Sequence, residues 1–371
     1  MRFAAAFSIV ALGACASPGS PPGGPVDTAA PEILGLAPDS GRTSVTPRNV
    51  VFRFDEVVSE RPSGAASLNA LFLISPRDGE PRVDWNRDEI AIRPRRGWKA
   101  NTAYTITLLP GLSDLRGNVR NTGAVTVFST GQTIPSGRIS GTVFDWIERR
   151  TLACALVEAR PVTDTTIVYV TTTDSTGTFA IGNLAAGQYQ VRGIADANNN
   201  RALDPREAWD STRITLADSA STELLTFVRD SLGSRLMTVT LRDSVTLELS
   251  FENPLSVSPP LAAAQVHVAA ADSVQIPIVS VGPPPPDTTI AVGRVPSRPS
   301  PTRTMIVKLG RRLTPRTEYR VRVTDAVNLS GVRRSSDRTV MVPEQPAATP
   351  RPAATPPAAP PPAPAPVRRL E

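Results

Sequence analysis

The sequence predicts an all-β protein: tandem antiparallel β-sandwiches between a disordered N-terminal tether and a Pro/Ala-rich C-terminal tail. Three observations predict it. Short runs alternate apolar and polar residues, as strands with one buried face do. Gly-, Asn- and Asp-containing tripeptides separate those runs and mark turns. No long stretch sustains a 3.6-residue apolar period, so long amphipathic helices are not expected. At 371 residues, with 40% hydrophobic content, the chain is long enough for two or three domains. Its two cysteines cannot form a disulfide framework, and its single His excludes a His-based metal cluster.

Residues 1–14 read as a signal peptide: Arg2, then an apolar run over 3–12 that is too short to span a bilayer. The run ends in Leu12-Gly13-Ala14-Cys15, which resembles the bacterial lipobox. That resemblance implies that Cys15 becomes the first mature residue and is acylated on sulfur. Each buried CH₂ of an acyl chain adds ~0.8 kcal/mol, so several chains make a stable membrane anchor. Ala16, where Asp would favour the inner membrane, implies an outer-membrane or cell-surface location. The alternative is an ordinary secretory signal that happens to contain Cys. Residues 15–30 are rich in Pro, Gly and Ser and form the lipidated flexible tether.

The first module is expected over residues 31–132. Val50, Phe52 and Phe54 share one strand face, and 90–93, 104–108 and 125–128 alternate likewise. Asp39-Ser40-Gly41, Arg77-Asp78-Gly79 and Arg116-Gly117-Asn118 mark turns. A Pro-rich lead at 30–33, then Phe52-Arg53-Phe54-Asp55-Glu56, Asn101-Thr102-Ala103-Tyr104, Asp114-Leu115-Arg116-Gly117-Asn118 and Phe128-Ser129-Thr130-Gly131 follow in order. Together they resemble the bacterial Ig-like domain first noted in S-layer proteins.

The second module is expected over 136–229. Gly137-Arg138-Ile139-Ser140-Gly141-Thr142-Val143 opens it, and Ser175-Thr176-Gly177 turns into a strand led by Phe179. Ala186-Gly187 is another turn, after which Tyr189 and Val191 face one core. This order resembles the carboxypeptidase regulatory-like domain, a transthyretin-like sandwich that carries no catalytic residues. The third module, 233–342, echoes the first. Phe251-Glu252-Asn253-Pro254 parallels the segment from Phe54, Thr314–Val321 parallels 100–106, and 325–331 parallels 114–117. It reads as a second, divergent Ig-like domain. Its prolines at 283–286 and 296–301 must be loop, because proline cannot sit in a central strand. Residues 343–371 are a Pro/Ala-rich disordered tail.

One constellation suggests a ligand. In the twelve-residue loop 196–207, Asp196, Asn198, Asn200, Asp204 and Glu207 fall at positions 1, 3, 5, 9 and 12, and Ala202 at position 7 would offer its carbonyl. This is the oxygen-donor spacing of an EF-hand Ca²⁺ loop, with a structural rather than catalytic ion. Arg201 replaces the usual Gly of position 6, Pro205 follows position 9, and no helix pair flanks the loop. The competing reading is an Asx-rich turn that needs no metal.

The remaining candidates read as structural. Cys154 lies in an apolar run and is expected to be a small buried hydrophobe. His267 is expected on a strand surface without a Ser–Asp constellation. Asp55-Glu56 and Asp88-Glu89 are strand neighbours whose side chains point to opposite faces. The net charge of +6 comes from dispersed Arg interleaved with acids, which argues against a nucleic-acid face. The sequence therefore reads as a non-catalytic, lipid-anchored envelope protein with a structural or adhesive role, its partners the membrane and an envelope protein or glycan. Two alternatives are an accessory subunit of an outer-membrane uptake or secretion complex and a carbohydrate-binding protein. The latter needs a planar aromatic platform built from Trp85, Trp98, Trp146 or Trp209. An enzyme would need carboxylates converging across strands.

Overall fold

The computed structural model describes residues 25–270, 272, 274–285 and 300–344. Cys15, the signal segment, the start of the tether and the Pro/Ala-rich tail from 345 lie outside them, as do Pro286 and residues 296–299 of the expected loop. The described residues form an all-β protein of antiparallel sheets, with two single 3₁₀ turns at Asn69–Leu71 and Ala263–Gln265. Among them, no helix is long and apolar enough to cross a membrane.

The first module has strands β1 (Ile33–Ala37), β2 (Val50–Phe54), β3 (Phe72–Ser75), β4 (Arg82–Asn86), β5 (Glu89–Arg93), β6 (Ala103–Leu108) and β7 (Ala124–Ser129). They form two sheets, ordered β1-β2-β5-β4 and β3-β6-β7. The period-2 alternation decides which side chains go inward. Val50, Phe52, Phe54, Ile90, Ile92, Tyr104, Ile106, Leu108 and Phe128 make one core, whereas Arg53 and Val125 face out. Burying each large apolar side chain contributes about 1.5–3 kcal/mol. Trp98 packs edge-on against Tyr104 and Phe128, with centroids 4.8 and 5.1 Å away. The Lys99 N–H donates to the Tyr104 hydroxyl at 2.8 Å, so the phenol pins the loop five residues upstream.

The second module has β8 (Gly137–Asp145), β9 (Arg150–Thr151), β10 (Leu156–Pro161), β11 (Tyr169–Thr172), β12 (Thr178–Leu184), β13 (Gly187–Ile194), β14 (Ala208–Leu216) and β15 (Ser219–Val228). Its sheet runs β11-β10-β13-β14-β15-β8-β12, with β9 beside β8. Ile139, Phe179 and Ile181 from one end of this order share a core with Val157, Tyr189 and Val191 from the other. The sheet therefore curls until its two ends face each other across that core. The turn before β12 forms as its residues predict. Asp174 accepts from the Thr176 and Thr178 N–H groups, and Gly177 adopts φ +81°.

The third module has β16 (Leu236–Asp243), β17 (Thr246–Phe251), β18 (Val266–Ala270), β19 (Gln275–Ile276), β20 (Ile278–Gly282), β21 (Thr304–Leu309), β22 (Glu318–Val327) and β23 (Arg333–Met341). Its sheets are β16-β17-β21-β20 and β19-β18-β22-β23. This is the strand order of the first module with the two-residue β19 added, so the sequence echo is an echo of topology. The phenol contact repeats as well: the Thr314 N–H donates to the Tyr319 hydroxyl at 3.0 Å, again five residues apart. Residues 283–285 follow β20 and lie outside any strand.

Two readings are corrected. Isolated bridges join Val58 to Asp114 in the first module and Leu255 to Asn328 in the third. The counterpart of Asp114 is therefore Asn328, not Asp325. Gly117 and Gly331, three residues on in each copy, have φ +92° and +80°. Cys154 is not a core residue. It is exposed, with φ +58°, in the turn before β10, while its neighbours Leu152, Ala155 and Leu156 are buried. An apolar run that turns cannot bury every member.

By packing, the first two modules fall in one compact unit, which excludes residues 145–150, and the third module belongs to another.

Candidate functional site

The loop that carries the expected metal ligands joins β13 to β14. Its oxygens do gather, but around the loop's own donors. Asp196 accepts from the N–H groups of Asn200 and Arg201 at 3.1 and 2.8 Å. Asp204 accepts from the side-chain amides of Asn198 and Asn200 at 2.7 and 3.0 Å. Glu207, which is buried, accepts from the Ala197 and Asp204 N–H groups, both at 3.0 Å. Ala202 is exposed and donates its N–H to the Asn200 side-chain oxygen at 2.8 Å. All six residues thus take part in one hydrogen-bonded turn.

The departure from the metal motif has a structural reason. Arg201, in the position usually held by Gly, takes φ +58° and sends its guanidinium out of the loop to the first module. There it donates to the Phe72 carbonyl at 2.6 Å and to the Ala70 carbonyl. Arg77 of the first module answers it, donating to the Arg201 carbonyl and forming an ion pair with Glu158 on β10. Glu158 is buried at 2% exposure, and its other oxygen is 2.9 Å from Arg160. Burial lowers the pKa values of Arg77 and Arg201, while the charges of Glu158 and Asp196 oppose that shift.

Around this clasp the two modules share an apolar cluster of Leu73, Leu156, Val170 and Ile194. The Ser75 hydroxyl accepts from the Val170 N–H at 2.9 Å, and the Arg77 N–H donates to the Val168 carbonyl at 2.8 Å. Asn183 donates to Thr105 at 3.0 Å, and Lys99 donates to Thr166 at the same distance. Ion pair, backbone bonds and apolar contact together weld the first two modules. Sequence reasoning missed this weld. Its only trace was the Arg that spoils the metal spacing.

A second group was also missed, because its members are 29 and 58 residues apart along the chain. Asp27, Glu56 and Asp114 bring carboxylate oxygens within 4.8 Å of one another. Chemically, such a group can hold a hard cation or share a proton, and exposed acidic groups often lie this close without an ion. Desolvation raises the Glu56 pKa, and the charges of Asp114, Asp27 and Asp55 raise it further. Burial would raise that of Asp114, but hydrogen bonds from Asn118, Arg116 and Gly117 hold it below the ordinary value.

The same three positions in the third module are Asp230, Asn253 and Asn328. There both amides donate to the Asp230 carboxylate, at 2.9 and 3.0 Å. Burial would raise the Asp230 pKa, but the Leu232 N–H and these two amides keep it low. The later copy closes with hydrogen bonds what the first leaves as three carboxylates. Asn328 also accepts from the Val332 N–H at 2.8 Å, as Asp114 does from the Asn118 N–H. Capping that turn is therefore the task common to both copies.

Three of the four tryptophans, Trp98, Trp146 and Trp209, serve packing. Trp85, 36% exposed, donates its indole N–H to the Val58 carbonyl at 2.9 Å. Trp98 lies against the first core, Trp146 leans on Phe227, and Trp209 lies beneath Arg192. His267 is exposed on β18, as expected.

A family model supplies the decisive match. It describes the bacterial Ig-like domain and fits residues 27–130. Residues 27–130 are similar to that domain. The matched span begins at Asp27, so it takes in the whole carboxylate group. No curated protein matches the chain. Three solved structures illustrate its structural likenesses. The N-terminal part of the bacterial S-layer protein SbsC is 15% identical with a TM-score of 0.23, over 30% of this chain and 24% of that one. The Bacillus anthracis TIE protein is 12% identical with a TM-score of 0.18, over 85% and 56%. A putative carbohydrate-binding protein from Bacteroides uniformis is 14% identical with a TM-score of 0.18, over 56% and 100%. The chain thus spans about a quarter of the first and just over half of the second. Likenesses at this level say nothing of what the chain binds.

Proposed function

We propose that this chain is a non-catalytic scaffold of the cell envelope, anchored through Cys15 and presenting sandwich modules for structural or adhesive contacts. The observation that carries the reading is the weld. An Ig-like module locked to its neighbour by a buried ion pair and an apolar cluster is built to hold position rather than to open around a substrate. The carboxylate group fits the same reading, since Asp114 is committed to capping its own turn. The curl of the second module into a two-faced core is what a transthyretin-like sandwich requires. The anchor has a direct test. Metabolic labelling with a radioactive fatty acid should mark the chain, and Cys15→Ser should abolish the label and release the protein from the membrane fraction. A labelled Cys15→Ser chain would overturn the anchor.

Calcium belongs to the proposal as a clamp on the loop 196–207. The hydrogen-bonded turn and a filled loop compete for the same oxygens. To ligate an ion, Asn198 and Asn200 would turn their amide oxygens toward Asp204, with Asp196, Glu207 and the Ala202 carbonyl completing the set. Added Ca²⁺ should then raise the thermal midpoint, and Asp204→Asn should remove the rise. Heat-silent titration with no change in midpoint would dismiss calcium. A rise abolished by Glu56→Gln instead would move the ion to the carboxylate group.

A further inference from the structure

The outer face of the second module's sheet changes character along its strands. Across β10, β13 and β14 the register stacks three rows: Leu156, Ile194 and Trp209; then Glu158, Arg192 and Ser211; then Arg160, Gln190 and Arg213. Residues two apart on a strand share a face, so all three rows look the same way. The first row is apolar and belongs to the cluster at the weld. Except for Ser211, the other two line a cavity of about 250 Å³ that takes in Arg160, Arg192 and Arg213.

Those arginines are poorly answered by the protein. Arg160 gives one nitrogen to Glu158, and Glu158 already serves Arg77. Arg192 lies over the Trp209 ring, 5.2 Å from its centroid, which fixes its plane without neutralising it. The Nε atoms of Arg160 and Arg192 are buried and find no acceptor among the described residues. Arg213 is exposed, and among the described residues its side chain makes no hydrogen bond or ion pair. Buried donors without acceptors are costly. A fold that keeps two such donors beside the exposed guanidinium of Arg213 on one concave face gains if an anion meets them. Guanidinium forks match carboxylate and phosphate oxygens, and Arg160 and Arg213, two strands apart, have backbones ~10 Å from each other.

We infer that this face of the second module binds a multivalent oxyanion, one that displays at least two carboxylate or phosphate groups. Arg160 and Arg213 hold the outer charges, Arg192 holds the centre, and the Gln190 amide lies between. The site extends beyond the scaffold reading and does not depend on the anchor.

The test is titration of the purified full-length chain with citrate and with inorganic pyrophosphate, at low and at high salt. Binding should be measurable at low salt and weaken as salt rises. Arg192→Gln and Arg213→Gln should each weaken it about tenfold or more, the loss of one charge-assisted contact. Arg213→Gln should leave the melting temperature unchanged, since its side chain is exposed. Arg138→Gln, an exposed arginine outside the cavity, should leave binding intact. Tighter binding of citrate would point to a carboxylate-bearing ligand, and tighter binding of pyrophosphate to a phosphate-bearing one. The inference fails if neither probe binds at low salt, or if Arg138→Gln weakens binding as much as Arg213→Gln.

Discussion

Arg77→Ala should destabilise the unit formed by the first two modules by about 3 kcal/mol, as removing one partner of a buried pair does. Glu158 would keep only Arg160 while remaining 2% exposed, and the Arg201 carbonyl would lose its donor. Denaturant unfolding followed by fluorescence should show a lower midpoint. Proteolysis should become faster at residues 132–136, the segment between the two modules. A double-mutant cycle sharpens the result. Arg77→Met with Glu158→Leu should cost less than the two single changes summed, because no charge is then left buried alone. Additive effects would mean that the ion pair contributes nothing to the weld.

Gly141→Ala should be nearly as damaging, for a steric reason. A Cβ at Gly141 would lie 1.8 Å from the Thr222 carbonyl oxygen and 3.1 Å from the Phe179 ring. The first obstacle is backbone, so no side chain can turn aside to make room. Strand β8 would have to move away from β15, opening the sheet that encloses the second core. Forcing atoms into a packed interior costs typically 1–3 kcal/mol and more where backbone must shift. The expected signs are a lower melting temperature and loss of amide protection along β8 and β15. Gly182→Ala is the control, since a Cβ there meets nothing within 4 Å. Equal melting temperatures for Gly141→Ala and the unaltered protein would refute the clash.

Much of the fold was legible because strand alternation is local. Val50, Phe52 and Phe54 announce their buried face within five residues, and Gly117 and Gly177 announce turns that no other residue enters as easily. The repeat was legible too, down to the tyrosine that pins its upstream loop. Its register was not, because Asn328 does with an amide what Asp114 does with a carboxylate, and the eye follows the carboxylate to Asp325. The weld was hidden for a different reason. Arg77, Glu158 and Arg201 are distant in sequence, and nothing local distinguishes a clasping arginine from a solvated one. The arginine face was hidden in the same way. It exists only once Arg160, Arg192 and Arg213 are brought side by side by strand pairing.

The clasp between the first two modules has a kinematic consequence. Modules strung on free linkers behave as beads, and each joint multiplies the directions a tethered molecule can sample. Closing the joint at 132–136 with buried charge and apolar contact turns two beads into one lever. A chain anchored as proposed would sweep a smaller volume, and an anion held on the second module would inherit the orientation of the first. Loosening that joint would widen the search but blunt the aim.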